Sequence, residues 1–483
     1  YYTTVKYGPD GDILWKQDFD MQEHIDVIGD AIKMAVDNYG AVYITDCVGR
    51  DGDIADWMLI KYTPDGQQDW MRYYAGPGGD IDNPSAITLD QRGNIYVTGK
   101  QNAAGHQWNG LTKKYTPEGE EEWSSEYESG GWDEGLAIAV DDLGNVYVGA
   151  VAAGFQTDDD LVTLKYDANG QFQWFKRYNG GGDAWTDDWP VAIQMDSQGN
   201  VVVSGISEPE PGIRHGIVTI KYTPSGEELW LERYEKSSVL DMVIDSDDNI
   251  FLTGYTEDED APYYGDILTL KYTTSGSLAW EKRYASEYKN DDKGVAIALD
   301  ADGHVFVTGK SRNKNYDIVT IEYDSSGQEL SIDRYVGPEM TDEDVCEIAC
   351  SPQGYVYVAG LVSPFSTWHD YLLIRYSLPN SAVRKSDPEL IETALLGCNY
   401  PNPFNGATTI PFCLDKESFV TIDLYDLQGR SIKTLSRSFY ESGVHLVSWD
   451  GRDYLKKPVT SGVYVCKMQA GTHVILRKLS LVR

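Results

Sequence analysis

The 483-residue sequence predicts an all-β fold made of repeated four-stranded units. A charged residue followed by Tyr recurs at steps of 50 to 56 residues, at Lys6-Tyr7, Lys61-Tyr62, Lys114-Tyr115, Lys165-Tyr166, Lys221-Tyr222, Lys271-Tyr272, Glu322-Tyr323 and Arg375-Tyr376. A period of this length is typical of radial or stacked repeats, in which each unit buries its faces against its neighbours. The spacing therefore predicts one structural unit per step.

Each repeat divides into four strands, A to D. Strand A is a small, apolar run such as residues 137–140, and an Asp-x-x-Gly turn joins it to a β-branched strand B. Strand C ends at the charged residue and Tyr, and a second tight turn leads to strand D. Strand D carries Trp four residues after the turn Gly, at Trp15, Trp70, Trp123, Trp174, Trp230 and Trp280, with Ser331 in the seventh repeat. Seven such units predict a seven-bladed β-propeller, with these tryptophans packed between blades.

The N-terminus supplies one strand more than the 28 that such a propeller needs. Residues 3–7 and 370–376 both fit strand C. We expect the strand D that follows Tyr7 to complete the last blade, which leaves Thr3, Thr4, Val5, Lys6 and Tyr7 over. This strand could add to its own blade as a fifth strand or pair with a neighbouring molecule. Our hypothesis is the second, which predicts self-association into filaments.

The two halves of the chain resemble different families. Residues 1–380 resemble the seven-bladed propeller repeats of secreted bacterial proteins, through the motif at 90–99 and its approximate copy at 141–149. Residues 399–483 resemble the Ig-like C-terminal sorting domain of type IX secretion substrates, which is related to the Ig-like domain of the flagellar hook-capping protein. The matching segments are N-Y-P-N-P-F-N at 399–405, T-T-I at 408–410, W-D-G at 449–451 and S-G-V-Y at 461–464.

These resemblances imply a division into a propeller at 1–380, a linker at 381–398 and a sorting or attachment domain at 399–483. They also imply a secreted protein, located outside the cell or on its surface. Composition agrees with export, because no apolar run approaches the 18 residues that a membrane helix needs. Six cysteines are too few for a disulfide scaffold. We expect at most a bridge from Cys413 to Cys466 or Cys398.

The charge is distributed unevenly along the chain. The net charge is −37, yet residues 399–483 carry 7 acidic and 11 basic side chains, which leaves −41 for residues 1–398. An acidic propeller excludes nucleic acid as a partner, since nucleic-acid binding requires basic patches. The acidity usually provides a solvated surface, but acidic loops could also bind cations or the basic tail of a second molecule.

One end of the predicted propeller is favoured for binding. Because strands alternate in direction, the D-to-A and B-to-C connections emerge together on what we call the loop face, and the tight turns emerge opposite, on the turn face. Aromatic residues predicted on the loop face are Trp108, Trp132, Trp185, Trp189 and Trp368. Exposed aromatic rings beside carboxylates suit sugar stacking or a protein interface. Alternatively, these rings fill gaps over the blade ends.

Carboxylates on the same loops predict a weaker possibility, a Ca²⁺ site. The candidate oxygen ligands are Asp158, Asp159, Asp160, Asp258 and Asp260. Calcium prefers oxygen ligands of this kind, but the spacing of an EF-hand loop is absent from the sequence.

Catalytic signatures are scarce in this sequence. It contains neither a Gly-x-Ser-x-Gly elbow nor a His-Glu-x-x-His pair, and its seven histidines are scattered. We therefore predict a non-catalytic extracellular structural or adhesive protein, not an enzyme. It would associate with itself or with the cell surface through the N-terminal strand or the Ig-like domain. The alternative is a glycan-binding or carbohydrate-active protein that uses the loop face.

Overall fold

A computed structural model describes most of the chain. The described residues are 2–8, 13–19, 32–49, 56–78, 81–103, 107–153, 159–180, 186–208, 215–257, 265–286, 291–313, 315–337, 341–351, 354–364, 370–377, 389–390, 395–396, 404, 406–414, 417–426, 429–441, 443–470 and 473–482. All regular structure in these ranges is β. Contacts divide the chain into two compact units, Tyr1–Arg334 with Asp344–Gln353, and Tyr335–Glu343 with Gly354–Arg483.

Seven four-stranded sheets follow the N-terminal strands β1 (Tyr2–Tyr7) and β2 (Ile13–Phe19). We number these sheets as blades 1 to 7. Blades 1 to 3 contain β3 (Lys33–Val36), β4 (Val42–Val48), β5 (Asp56–Tyr62), β6 (Gln68–Tyr74); β7 (Asn83–Leu89), β8 (Ile95–Ala103), β9 (Gln107–Tyr115), β10 (Glu121–Tyr127); and β11 (Asp133–Val140), β12 (Val146–Ala153), β13 (Asp159–Tyr166), β14 (Phe172–Tyr178). Blades 4 and 5 contain β15 (Asp188–Met195), β16 (Val201–Ser207), β17 (Gly216–Tyr222), β18 (Glu228–Glu235); and β19 (Ser237–Ile244), β20 (Ile250–Thr256), β21 (Ile267–Tyr272), β22 (Leu278–Tyr284). Blades 6 and 7 contain β23 (Asp292–Leu299), β24 (Val305–Arg312), β25 (Tyr316–Tyr323), β26 (Glu329–Tyr335); and β27 (Thr341–Cys350), β28 (Tyr355–Pro364), β29 (Asp370–Ser377), β30 (Glu389–Leu390).

Each blade joins its strands in chain order, as strands A to D. The predicted all-β propeller class is therefore confirmed. The apolar core lies between neighbouring blades: Tyr147 and Leu161 of blade 3, for example, share one buried cluster with Ile193 and Val203 of blade 4. A Tyr that ends strand C, such as Tyr222, closes the same cluster. Each repeat therefore contributes side chains to the core that it shares with the neighbouring blade.

The tryptophans of strand D hold successive blades together, as their spacing predicts. Each indole Nε1 donates a hydrogen bond of 3.0 to 3.3 Å to a carbonyl in the C-to-D turn of the next blade, from Trp15, Trp70, Trp123, Trp174, Trp230 and Trp280 to Pro64, Pro117, Ala168, Pro224, Thr274 and Ser325 respectively. The turn glycines are required for this contact. A Cβ on Gly66, whose φ is +86°, would lie 2.5 Å from Cγ of Trp15.

The lysine that precedes the strand C Tyr explains the motif found in the sequence. In five repeats its Nζ donates to the same turn carbonyl as the Trp, over 2.7 to 3.2 Å, from Lys6, Lys61, Lys165, Lys221 and Lys271. In blade 6, both the strand C Lys and the strand D Trp are replaced. There Ser331 replaces Trp, Glu322 replaces Lys, and the Ser331 hydroxyl donates to the Glu322 carboxylate over 2.8 Å.

The N-terminal strands differ from our expectation. Strand β2 pairs with β1, and the fourth strand of blade 7 is β30 instead. Pairing β2 with the adjacent β1 closes only a short loop, which costs less chain entropy than reaching the last blade. The β1–β2 pair still stacks like a blade edge, because Lys6 and Trp15 both bond the Pro64 carbonyl of blade 1.

The C-terminal segment forms two further sheets around one core. One sheet contains β31 (Leu395–Leu396), β32 (Thr408–Leu414) and β35 (Gly443–Trp449); the other contains β33 (Ser418–Asp426), β34 (Ser431–Tyr440), β36 (Gly462–Ala470) and β37 (His473–Leu481). Trp449, Phe412, Val420 and Leu479 are buried together between them. Leu396 belongs to this core although it lies in the segment predicted to be a linker.

Of the two bridges considered for Cys413, the one to Cys466 is wrong, and the one to Cys398 stays a prediction. Cys466 is a free thiol, fully buried in the core of the C-terminal sheets. Burial raises the pKa of this thiol to about 12, since the apolar surroundings disfavour the thiolate. Cys398 and the side chain of Cys413 lie outside the part of the chain that the structure describes.

Candidate functional site

Buried aspartates build the scaffold of the loop face. Asp133, at the start of strand A in blade 3, accepts bonds from the backbone N–H and the hydroxyl of Ser129 over 2.7 and 2.6 Å. Asp292 accepts the backbone N–H of Ser286 over 2.7 Å in the same way. Burial raises the pKa of the equivalent Asp188 to about 6. These carboxylates satisfy loop backbone donors, so part of the acidity of this face is structural.

Next to this scaffold, one pair of positions changes its chemistry from blade to blade. One of the first two residues of strand A faces a residue near the end of strand B. We call these the variable pairs: Asn83–Lys100, Glu134–Val151, Trp189–Ile206, Ser238–Tyr255 and Lys293–Lys310 in blades 2 to 6. The preceding strand B position is Gly or Ala in the same five blades, at Gly99, Ala150, Gly205, Gly254 and Gly309. The scaffold is thus repeated while the side chains beside it differ between blades, at the end of the strands where binding residues are expected.

The first cluster of functional side chains surrounds Lys100, and we call it the blade 2 cluster. The Lys100 Nζ lies 5.5 Å from the ring centroid of Trp108 and 5.2 Å from that of Trp132. It also pairs with Glu134 Oε2 over 2.8 Å. The Ser85 hydroxyl donates to Glu134 Oε1 over 2.6 Å. A lysine held by a buried carboxylate therefore lies near two indole rings from neighbouring blades.

The second cluster occupies the corresponding place four blades further on, and we call it the blade 6 cluster. Tyr316 faces Arg312 across the strand pair, as Trp108 faces Asn102 in blade 2. Lys310 Nζ lies 5.4 Å from the Tyr316 ring centroid, and Arg312 Cζ lies 5.3 Å from it. The Tyr316 hydroxyl donates to Asp291 Oδ2 over 2.9 Å, which orients the ring.

Two further contacts complete the blade 6 cluster. Lys310 Nζ lies 3.3 Å from Asp344 Oδ1, the residue equivalent to Glu134. Lys293 Nζ lies 3.5 Å from Asp291 Oδ2 and 4.7 Å from the ring centroid of Tyr255. Burial, followed by the hydrogen bond to Asp291, raises the pKa of Tyr316, so its hydroxyl stays protonated and donates.

His215 stands at the strand C position that corresponds to Trp108 and Tyr316. Its Nε2 lies 3.0 Å from Glu208 Oε1, and its Nδ1 lies 3.3 Å from Glu257 Oε1. The hydrogen bond to Glu257 is the main cause that raises the pKa of His215, while partial burial opposes the shift. An imidazole between two carboxylates is stabilised in its charged form.

One half-buried carboxyl group lies away from the loop face, on strand A of blade 5. Asp241 takes a position that is Ala in blades 2, 3, 4 and 6. Its Oδ1 accepts the backbone N–H of Met242 over 2.8 Å, and its Oδ2 accepts that of Ile297 in blade 6 over 2.9 Å. Desolvation is the largest cause that raises the pKa of Asp241 to about 7. We assign this group to the bonding of neighbouring inner strands.

The structure describes three of the five predicted tryptophans. It brings Trp108 and Trp132 together in the blade 2 cluster, and it places Trp189 in the variable pair of blade 4, 43 % exposed. Trp185 and Trp368 lie outside the described residues. The sequence did not single out Lys100, Lys310, Arg312 or His215. A comparison of the repeats with one another would have found their positions.

The predicted calcium ligands are only partly described. Asp160 is buried and forms an ion pair with Arg177, so the structure gives this carboxylate a guanidinium partner. Asp159 pairs with Ala153 at the edge of blade 3. Asp158, Asp258 and Asp260 lie outside the described residues. Among the described residues no group of three or more His, Cys, Asp or Glu side chains is arranged to hold a metal ion. Calcium binding stays a prediction.

The predicted assembly strand, from Thr3 to Tyr7, is strand β1. It pairs antiparallel with β2, and the Thr3 hydroxyl donates to Asp18 over 2.7 Å. Among the described strands β1 has this one neighbour. Self-association through β1 stays a prediction.

Two family models match parts of this chain. Residues 69–103 match a β-propeller repeat, and residues 399–482 match a secretion system C-terminal sorting domain. The chain is therefore a propeller protein with a type IX sorting domain, exported to the cell surface or the extracellular space. No helix in the described residues is long and apolar enough to cross a membrane. No curated protein matches the chain.

Among solved structures, the similarities concern fold alone. PorZ, an essential surface component of the type IX secretion system of Porphyromonas gingivalis, is 13% identical over 94% of this chain, with a TM-score of 0.40. This chain covers 59% of the PorZ chain. Polysaccharide lyase Uly1 is 12% identical over 72% of this chain and 89% of its own, with a TM-score of 0.46. A periplasmic gluconolactonase of Pseudomonas aeruginosa is 14% identical over 84% and 99%, with a TM-score of 0.41.

Proposed function

We propose that this protein is a non-catalytic extracellular adhesin whose propeller binds glycan on its loop face. The blade 2 cluster carries the proposal. Indole faces are apolar and stack on the C–H faces of sugar rings, while the Lys100 ammonium, held by Glu134, offers a hydrogen-bond donor to hydroxyl groups. A few polar groups that converge beside aromatic rings are the usual composition of a small-molecule site.

The arrangement also favours binding over catalysis. Glu134 is 5% exposed and is held by both Ser85 and Lys100, so it is an ion-pair partner rather than a proton donor for a substrate. Glycoside hydrolysis requires two carboxyl groups that flank the scissile bond. Among the described residues of the blade 2 cluster, Glu134 is the one carboxyl group. The sorting domain then supplies the export that an extracellular adhesin needs.

The test compares the full chain with two single variants, Trp108→Ala and Trp132→Ala, on an array of neutral and acidic polysaccharides. We expect each variant to weaken binding about fivefold, since one aromatic contact contributes on the order of 1 kcal/mol. Tyr39→Ala is the matched control, because Tyr39 is an exposed aromatic residue of an A-to-B turn, on the turn face. Glycan binding that survives both tryptophan substitutions unchanged would contradict the site, and an array without any bound glycan would contradict the function.

A second candidate function is self-assembly through strand β1, and one observation favours it. The described part of the chain gives β1 a partner strand on a single edge, and an edge strand can pair with another molecule. Sedimentation of the full chain at rising concentration should then show oligomers, and removal of residues 1–7 should abolish them without unfolding the propeller. A chain that stays monomeric at all concentrations excludes this function.

A further inference from the structure

We infer that the blade 6 cluster is a subsite for an anionic substituent, a carboxylate or a sulfate group, of the bound glycan. This inference rests on the proposed glycan binding and names the chemical class of the ligand. The first support is local charge. Lys293, Lys310 and Arg312 stand together, beside Asp291, Asp344 and the buried Asp292 that accepts the Arg312 backbone N–H, so three basic side chains gather in a part of the chain whose net charge is −41.

The second support is the orientation of the two cations. Lys310 and Arg312 are two residues apart on β24, so both project from the same side of the strand. Both lie over one Tyr316 ring, whose hydroxyl is bonded to Asp291. The Lys310 ammonium and the Arg312 guanidinium therefore both lie near the Tyr316 ring. A guanidinium binds carboxylate or sulfate oxygens with two parallel hydrogen bonds, and Arg312 is exposed to solvent.

The third support is the comparison with blade 2, which has the same backbone register. There the position of Arg312 is taken by Asn102, which is fully buried and uncharged. The Trp108 ring replaces Tyr316, and the carboxylate that pairs with the lysine is 5% exposed at Glu134. The corresponding Asp344 side chain is 56% exposed, so it neutralises Lys310 less completely. The two clusters are thus built for different ligand groups, a neutral sugar face in blade 2 and an anionic group in blade 6.

The test measures the affinity of the full chain for three soluble oligosaccharide probes: oligogalacturonate, sulfated dextran and uncharged dextran. The variants are Arg312→Gln and Lys310→Met, which remove charge and keep most of the side-chain length. Arg92→Gln is the control, because Arg92 is an exposed arginine in the turn at Asp90, on the turn face. Thermal melting of each variant confirms folding, which exposed pairs barely influence.

We expect the wild-type chain to bind one anionic probe at least tenfold more tightly than uncharged dextran. The two blade 6 variants should reduce that affinity to the level of the uncharged probe, and Arg92→Gln should leave it within twofold. Preference for oligogalacturonate identifies a carboxylate, and preference for sulfated dextran identifies a sulfate.

The inference and the proposed function fail in different ways. If all three probes bind equally and the blade 6 variants bind like wild type, the anionic subsite is excluded while the glycan site of blade 2 stands. If the blade 6 variants lose the anionic probe but Trp108→Ala and Trp132→Ala change nothing, the anionic subsite stands and the blade 2 site is excluded. If none of the probes binds and the array is also empty, both are excluded.

Discussion

At the scale of single residues, the most informative feature is a carbonyl oxygen that accepts two donors from the preceding repeat. The Pro224 carbonyl of blade 4 accepts from Trp174 over 3.1 Å and from Lys165 over 2.7 Å. The same arrangement at other blades explains why Lys-Tyr and Trp recur together in the sequence. The Lys and Trp side chains join successive blades, because both donate to one backbone carbonyl of the next blade. Substituting either residue therefore removes a hydrogen bond across an interface between blades.

Replacing Trp230 by Phe tests this contact. Phenylalanine keeps most of the ring packing but loses the bond of 3.1 Å from Nε1 to the Thr274 carbonyl. We expect the free energy of unfolding to fall by about 1 kcal/mol, measured by chemical denaturation. Trp189→Phe serves as the control, because the Trp189 side chain is 43% exposed and lies outside the series. Equal stability of the two variants would show that the repeated hydrogen bond contributes nothing.

His215 gives a prediction about pH. The neighbouring glutamates raise its pKa in the folded protein above the usual 6.5, so the folded state binds the proton more tightly than the unfolded state. The resulting stability is fully present below about pH 6.5 and is lost as the pH rises through the folded pKa. His215→Gln should therefore lower the melting temperature at pH 5.5, by about 1 °C given the exposure of the group. At pH 9 it should change nothing; an equal loss at both pH values contradicts the proposed charge.

Among the structural elements, strand A has the same backbone irregularity in blades 2 to 6, while its side chains differ from blade to blade. Each inner strand of blades 2 to 6 carries a β-bulge at the same place, for example between Gly135 and Ala137 in blade 3 and between Val239 and Asp241 in blade 5. The bulge shifts the strand register before the chain continues to the tight turn. Asp241 uses this position to bond blade 5 to blade 6, where blades 2, 3, 4 and 6 have Ala.

Asp241→Asn tests the cost of that half-buried charge. The pKa of Asp241 is about 7 in the folded protein and about 4 in the unfolded chain, so ionisation makes folding less favourable as the pH rises through this window. Asparagine cannot ionise, although it retains a single acceptor oxygen for the two backbone donors. We expect the melting temperature of the variant, relative to wild type, to be higher at pH 8.5 than at pH 5. A constant difference across that range would falsify the assigned pKa.

The elements also show what the sequence could and could not predict. The strands that carry Lys-Tyr, Trp or the Asp-x-x-Gly turn were predictable, because each signal has a local structural cause. Strand β30 has two residues and no such signal, and its pairing with β29 could not be read from the sequence. For the site, Trp108 and Trp132 were predictable as loop-face aromatics. Their meeting at Lys100 depends on contact between two blades, which no local pattern records.

At the scale of the whole chain, a strongly acidic propeller precedes a mildly basic sorting domain, and the propeller carries small clusters whose charge departs from its average. The blade 6 cluster gathers three basic side chains, and the blade 2 cluster pairs one lysine with one glutamate near two indoles. The sorting domain directs export, so the propeller and its clusters lie outside the cell or on its surface. Identical scaffolds with different surface groups allow one propeller to bind a polymer at several points.

Hydrogen exchange of the full chain, with and without the glycan that binds it best on the array, tests whether the glycan binds on the loop face. We predict that bound glycan slows exchange in peptides covering residues 97–115 and 131–136, which contain Lys100, Trp108, Trp132 and Glu134. Peptides of the turn face, such as those around residues 37–40, should be unchanged. Slower exchange confined to the turn face or to the C-terminal domain would contradict a glycan site on the loop face.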